Sequence, residues 1–551
     1  MVNRLFIYFS FIFFCLSVLN PIHMQPWGGF FSEGFAFIAV LLLSLLLINK
    51  KLNIAKVTLP FLFISVLPLF QYVFNQIFFS SNAILSSIYI FSFWLMIIIG
   101  YNLSLGENKA QLNFNFTVFM AYFLFISGLF SALFALFQWL NVYKTFQVIM
   151  EFSGSRPYAN MAQPNHLATF FNLAIFSSWY IYEKEKIGFP ILINSSLFFI
   201  FGIALTQSRT GFLILFSSFL IVFFFKARLS LKINKKYLSI CLVYFICIIY
   251  FLPKLRNLLS YYFDIKEVTS AIERATTGYN RLDIWNQMIH AIMEKPWSGY
   301  GWNQTTFAQF SVIDRYHSKE WATSAHNLIL DILVWGGLPV GIFIIVYFSL
   351  FFLYLFKNIL SLESFFPFLV VSSLIFHSLL EYPLYYSYFL LPFGLFCGIA
   401  LSEIKCKIYS INSLILKFLF FLSVTAFIGI SREYFKVEDN LFSGRLHAMG
   451  NLKTEVELPH HLYFFDNFEA RARWLGLYPK THIQYQKLKN SEKIIKTSLK
   501  PYDIYKYAQL MAYNGNSNEA LKMLNILETM YGMNISYEEL IEEHKNKIDH
   551  Q

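Results

Sequence analysis

Arg156 to Phe170 reads RPYANMAQPNHLATF, an arginine, several amides, a proline and a histidine set between two long apolar runs. A connection between two apolar helices ordinarily needs only a few small polar residues. This insert therefore carries polar work of its own, and the runs beside it, Phe114 to Leu140 and Pro164 to Tyr182, set the class of fold. Similar runs of roughly 15 to 25 residues recur through most of the chain, the length that crosses a hydrocarbon core of about 30 Å. Of the 551 residues only 14% are charged, while 57% are hydrophobic and 66 are phenylalanine, which argues against a set of soluble domains. The chain reads as an all-α polytopic membrane protein.

Basic residues between the spans orient them. With Arg4 inside, the inner face also receives Lys50 and Lys51, the segment with Glu107 and Lys109, Glu183 to Lys186, and the basic loop from Lys226 to Lys236. Lys357, Lys405 and Lys407 continue the pattern. The count is about thirteen transmembrane helices, N-terminus in and C-terminus out. Residues 1–19 are read as the first span because no small-residue cleavage site precedes Asn20 and Pro21. Residues 1–431 form the membrane domain, and 253–325 within it make a large loop on the outer side, too long for a turn. Residues 432–551 read as a soluble helical domain on the outer face. In it, Tyr507 to Tyr531 looks like a tetratricopeptide-type (TPR-like) hairpin, with Ala508, Ala512 and Ala520 available for close packing.

The net charge of +11 is dispersed among the spans and serves orientation, so no nucleic-acid partner is expected. All five cysteines lie in or beside apolar spans, which argues against disulfides and thiol metal sites. His460 and His461 lack an H-E-x-x-H setting, and no G-x-x-x-x-G-K-[ST] loop occurs, so neither a metal nor a nucleotide cofactor is expected.

The topology brings four separated segments to the outer face: Arg156 to His166, Ser208 to Thr210, His326-Asn327 and Glu381-Tyr382. Pro164 suits the first position of a helix with Gln163 as its cap, and Ser208 and Ser324 suit caps of two more. Helix N-termini beside arginines favour phosphate or pyrophosphate, and a lipid headgroup is the natural source at that depth. Arg156 and Arg209 run against the orientation bias and need such a reason. Plainer readings stand beside these: Gln163 and Asn165 as residues that satisfy helix ends, Arg209 as an interfacial anchor, Glu381 as half of a structural ion pair with an outer arginine, His166 as a packed histidine. His326 lies where the long loop enters a membrane helix, at the water boundary, where an ordinary imidazole exchanges protons near neutral pH.

Five blocks in order carry a resemblance: RPYANMAQPNHLATF, TQSRTGF (Thr206 to Phe212), RLDIWNQMIHAIMEKPWSGYGW (Arg281 to Trp302), AHNLILDILVWGGLPVG (Ala325 to Gly341) and HSLLEYPLYYSYFLLPFG (His377 to Gly394). Together they resemble the PglL-type bacterial protein O-oligosaccharyltransferases of the O-antigen ligase and polymerase superfamily. The resemblance implies a glycosyltransferase of the bacterial inner membrane with a periplasmic active face. It would move a preassembled oligosaccharide from undecaprenyl pyrophosphate to a serine or threonine of a periplasmic or pilin-like protein. His326 falls on the histidine of the family's H-N-x9-G pattern, followed by Asn327 and Gly337, while Pro339 stands where the pattern has a small hydroxyl residue. By the same resemblance Arg156, Arg209 and Arg281 would hold pyrophosphate, with Gln163, Asn165, Asn327, Glu381 and Tyr382 as further substrate contacts. An O-antigen ligase or polymerase would use the same donor and face. A lipid-linked glycan transporter would instead place polar groups near the midplane of broken, repeated helices.

Overall fold

The computed structural model describes residues 2–106, 114–265 and 280–541, so Glu107, Lys109 and residues 266–279 of the long loop lie outside the described residues. Every apolar run falls on a helix. Among the described residues the helices that follow in order are α1 (Val2–Leu19), α2 (Phe30–Leu45), α3 (Leu59–Val73), α4 (Ser80–Ser104), α5 (Phe116–Trp139), α6 (Pro164–Glu183), α7 (Phe189–Thr206), α8 (Arg209–Leu229) and α9 (Lys235–Leu259). The long loop carries α10 (Asn280–Glu294) and α11 (Thr305–Val312), and α12 (Leu328–Lys357), α13 (Leu362–Ser378), α14 (Ser387–Ser402) and α15 (Ser413–Met449) follow. Among the described residues 8 helices are long and apolar enough to cross a membrane, and α1, α2, α13 and α14 are apolar but shorter. The chain is a helical multi-pass membrane protein. Its helices are joined by one small element the sequence did not suggest, an antiparallel pair of β1 (Leu52–Ala55) and β2 (Ile408–Ile411) in which Leu52 faces Ile411.

The chain divides into two compact units, one of residues 1–63, 89–277 and 348–424, the other of 64–88, 278–347 and 425–551. In the first unit α6 is the central helix. It packs against α5, α7, α8 and α13, and every side chain from His166 to Ile181 is buried. Protein on all sides explains its polar composition, because buried amides and hydroxyls then find partners that lipid would not supply. Asn172, for example, donates to Ala168 O at 2.9 Å and to Gly211 O at 3.1 Å. On the same logic α15, with 6% of its most apolar window buried, is apolar because lipid surrounds it. α4 and α14 meet along a seam of small residues. A Cβ on Gly394 would stand 2.5 Å from Phe93 O, and one on Gly398 would overlap Ile97 O, so glycine four residues apart is what allows the backbones to touch.

The second unit contains the C-terminal helices α16 (Asp466–Gly476), α17 (Tyr485–Thr497), α18 (Pro501–Tyr513), α19 (Ser517–Tyr531) and α20 (Tyr537–Ile541). α18 and α19 form the expected hairpin, turning at Gly515 with φ +78°. Ile495, Leu499, Ile504, Leu510, Met523 and Leu527 build a core that also takes in Phe79 and Phe310. Asp466 accepts from the N–H groups of Ser80 and Ser81 at 2.9 and 3.0 Å and from the Ser80 hydroxyl at 2.8 Å. It thus supplies the negative charge that the open N-terminus of α4 favours.

Asp503, fully buried, ties α16 to α18 by accepting from Arg471 at 2.5 Å, Trp474 Nε1 at 2.9 Å and Ser498 at 2.7 Å. An Asp503→Ala variant is expected to destabilise this hairpin region by about 3–5 kcal/mol, since it strands a half-buried guanidinium. Limited proteolysis should then cut within 466–531 at protease levels that leave the parent intact. Beside it Lys506 donates to Trp474 O and Leu475 O at 2.8 and 2.9 Å. Burial first, and then the Arg471 charge, lowers its ammonium from 10.5 to about 8. The folded region therefore holds that proton less tightly than the unfolded chain does. The resulting cost is fully present below about 8 and is relieved as pH rises toward 10.5.

α12 is broken at Gly337, whose φ of 68° and ψ of −179° leave the helical region. The carbonyls released by the break are not left bare. Tyr300 N–H donates to Val334 O at 2.8 Å and Gly301 N–H to Trp335 O at 3.1 Å, while Leu338 N–H donates to Pro296 O at 2.6 Å. Gln71 of α3 adds its amide to Trp335 O at 2.8 Å and accepts from Trp302 N–H at 2.8 Å. The Pro296–Trp302 loop is thus the partner that makes a break in a membrane helix tolerable.

Candidate functional site

In the first unit the ends of α6 and α8 meet. Gln163 caps α6, its side-chain oxygen accepting from His166 N–H at 2.8 Å, with Pro164 in the first turn. Ser208 caps α8 in the same way through Gly211 N–H at 3.1 Å. Both caps are the residues the sequence nominated. Asn165 joins the two ends: its Oδ1 accepts from Ser208 Oγ at 2.8 Å and from the Arg156 guanidinium at 3.1 Å. Its Nδ2 donates to Glu381 Oε1 at 2.7 Å. Arg156 Nε also donates to Thr206 O at 2.7 Å, which fixes the plane of the guanidinium beside two helix N-termini. Glu381, only 2% exposed, thus shares the Asn165 amide with Arg156.

Arg209 is exposed at the first position of α8, beside Ser208. A cation there opposes the helix macrodipole, so the position is held against a local electrostatic cost of some tenths of a kcal/mol. Tyr382 lies with its ring 6.1 Å from that of His166, 5.6 Å from Tyr385 and 6.4 Å from Tyr386. His166 is fully buried, with Nδ1 3.2 Å from Tyr388 OH and further ring contacts to His377 and Phe389. The packed-histidine reading describes it well. Glu33 of α2 was not singled out by its sequence. It accepts from Tyr89 OH and from Ser387 N–H, both at 2.8 Å, and so caps α14 just after the EYPLYY block. A lone acid inside an otherwise apolar run was the available signal.

Replacing Asn165 by alanine removes the common partner of Arg156, Ser208 and Glu381. The expected cost is about 1–3 kcal/mol, because buried polar groups lose a hydrogen bond without regaining water. Thermal unfolding of the purified protein in lipid nanodiscs measures it, and Asn165→Ser should recover little, being too short to span both sides.

His326, Asn327 and Arg281 belong to the second unit. His326 has φ +52°, a left-handed conformation that histidine adopts more readily than most residues, and its N–H donates to Ser324 Oγ at 3.0 Å. Ser324 does not cap α12, contrary to its sequence reading. Asn327 does, with Oδ1 accepting from Ile329 N–H at 3.0 Å and Leu330 N–H at 3.2 Å. Ser324 is drawn instead to Asp331, one turn into the helix, donating to it at 2.7 Å. Asp331 is buried and also accepts from Ala325 N–H at 2.9 Å and Thr305 Oγ1 at 2.8 Å. A single carboxylate thus shapes the turn that carries the imidazole, and sequence reasoning passed over it although it too is a lone acid in an apolar helix. Arg281 is half-buried in the first turn of α10.

Comparison with known proteins agrees with these landmarks. Residues 195–346 match a family described as O-antigen ligase, residues 157–182 one described as protein glycosylation ligase, and residues 367–537 the C-terminal part of a virulence factor membrane-bound polymerase. A general O-oligosaccharyltransferase of Acinetobacter baylyi is 31% identical over 542 residues, 97% of this chain and 94% of that protein. The chain belongs to the O-oligosaccharyltransferases. A ComP-specific O-oligosaccharyltransferase of the same organism is 31% identical over 382 residues, 68% of each chain. As a member of this family the protein is a glycosyltransferase that acts in protein glycosylation by oligosaccharide transfer. The glycosylation-ligase match covers the α6 start with Gln163 and Asn165, and the O-antigen ligase match covers Arg209, Arg281 and the His326 turn. The polar ends of this oligosaccharyltransferase's helices therefore fall within the segments that define its relatives.

Proposed function

We propose that the enzyme takes a preassembled oligosaccharide from undecaprenyl pyrophosphate and joins it to a serine or threonine hydroxyl of a periplasmic or pilin-like protein. The reaction takes place at the outer face of the inner membrane, across which about thirteen helices pass. The observation that carries this reading is the Arg156–Asn165–Ser208 junction, a guanidinium held beside the N-termini of α6 and α8. The positive dipole ends of two helices and a fixed cation suit a pyrophosphate. Arg209 and Arg281, each in a first helical turn where a cation is locally disfavoured, add charge that an anionic ligand would repay. Gln163, Asn165, Asn327, Glu381 and Tyr382 shape the surroundings of the donor and acceptor.

In the step itself the acceptor oxygen attacks the anomeric carbon as the bond to the pyrophosphate oxygen breaks. The electron pair leaves with the lipid pyrophosphate, whose growing charge the arginines and helix ends stabilise. The hydroxyl proton passes to His326, acting as general base. No metal is required, because the donor carries its own leaving group.

Co-expression with a lipid-linked glycan pathway and candidate acceptors tests the reading by intact-protein mass. A glycan-sized increment on a serine or threonine of the acceptor is the expected result. Glycan found only on lipid A-core, or in lengthened repeat chains, would mark a ligase or polymerase instead. Movement of lipid-linked glycan across the membrane without transfer would mark a transporter.

A further inference from the structure

α10 is apolar on opposite faces. Ile284, Met288 and Ala291 point inward and are buried, and the helix packs against α11. Leu282, Ile289 and Met293 share the other face and are exposed, Met293 at 69%, and the following loop adds Trp297 at 80%. Left in water, each large side chain of this kind forgoes the favourable transfer of its apolar area out of solvent. A helix with large apolar side chains on two opposite faces belongs between two apolar surroundings, and the described residues supply only one here.

Its height relative to the bilayer can be read from α12. From Gly337 to Lys357 is about twenty residues, which at about 1.5 Å per residue spans about 30 Å, the whole hydrocarbon core. The break at Gly337 therefore falls at the edge of that core, with Leu328 to Gly336 standing above it. The Pro296–Gly301 loop is bonded to that break, and a Cβ on Gly337 would be 2.8 Å from Trp297 O. Trp297 is thereby held at the depth where tryptophan concentrates in membrane proteins. Below the break the exposed side chains of α12 continue as Leu338, Ile342, Phe343 and Val346, so the outward face of α10 runs into a lipid-facing surface.

We infer that the outward face of α10, with Trp297, is a monotopic membrane seat that lies in the interfacial layer of the outer leaflet, phospholipid being its partner. The seat has a consequence for the His326 turn. Trp285, on the same helix, donates Nε1–H to Ala325 O at 2.9 Å, so the depth of α10 fixes the height of the turn above the bilayer.

Full-length protein in phosphatidylcholine–phosphatidylglycerol nanodiscs tests this. The exposed native Cys247 is first replaced by serine, and a single environment-sensitive fluorophore is attached at Ile289→Cys or Met293→Cys. Phe343→Cys serves as the lipid-facing control and Glu320→Cys as the exposed loop control. Leu282→Cys replaces any variant that does not elute as a single species. With no donor or acceptor present, positions 289 and 293 are expected to match 343: quenched by nitroxide-bearing phospholipid and several-fold less by iodide than position 320. Iodide quenching equal to that at 320 would overturn the seat. So would shielding that appears only when lipid-linked donor is added, which would assign the face to a polyprenyl chain. Shielding that appears only with acceptor protein would assign it to that protein and equally overturn the proposal.

Discussion

A His326→Ala enzyme is expected to lose glycan transfer by about 10²- to 10⁴-fold, the usual worth of a positioned general base. Binding of the lipid-linked donor should stay near the parent value. The prediction rests on how the imidazole is held. The residue sits in a left-handed turn, its N–H on Ser324, with Ser324 and Ala325 both fastened to the buried Asp331. Those bonds are made by the backbone and by Ser324 and Asp331 and survive loss of the imidazole, so its removal should alter chemistry more than structure. Initial rates measured by acceptor mass, beside a donor-binding assay, separate the two. Equal loss of binding and turnover would show His326 to be a binding residue, and an unchanged rate would remove it from the mechanism. Asp331→Asn is the companion variant. An amide keeps the shape but exchanges acceptor for donor at one oxygen, so transfer should fall less than for His326→Ala, with a measurable loss of stability.

Gly337→Ala should be strongly damaging for a single added methyl. The backbone at φ 68° and ψ −179° is open in practice only to glycine, and a side chain there costs about 1–3 kcal/mol in strain. The new Cβ would also stand 2.8 Å from Pro296 O and from Trp297 C, backbone atoms that cannot rotate away. Overpacking of this kind adds about 1–3 kcal/mol. Relief would require the Pro296–Gly301 loop to withdraw, which would expose the carbonyls of Val334 and Trp335 and the N–H of Leu338. Thermal unfolding in nanodiscs, followed by size-exclusion fluorescence, should show a large drop in midpoint and loss of the folded peak at growth temperature. The neighbouring Gly336→Ala is a suitable control: its Cβ would meet the Val340 side chain at 3.2 Å and Gly341 N at an ordinary 3.4 Å, without a left-handed backbone, and its effect should be small. A Gly337→Ala protein as stable as the parent would mean that the loop does not clamp the break.

Much of this architecture is legible in short stretches of chain. The spans follow from run length and composition, and the caps of α6 and α8 follow from Gln163-Pro164 and Ser208, because a cap bonds to backbone two or three residues away. Ser324 shows the limit of that argument. As a serine just ahead of a helix it reads as a cap, yet Asp331 captures it and Asn327 takes the cap. Glu381 shows the same limit at longer range, since it accepts from an amide, that of Asn165, more than two hundred positions away in the chain.

The chain's pattern of apolar runs and basic loops was enough to determine a helical membrane protein, through properties of neighbouring residues and of period that survive without knowing where anything packs. The resemblance carried by its five ordered blocks implied a glycosyltransferase with Arg156, Asn165 and His326 in its site. The bridging role of Asn165, the carboxylate under the His326 turn and the loop that heals the break at Gly337 emerged only from the folded molecule. Each includes a hydrogen bond between different elements of the chain, Asn165 to Glu381, Asp331 to Thr305 and Leu338 to Pro296, and such a bond has no local signature until the elements that carry its two ends are brought together.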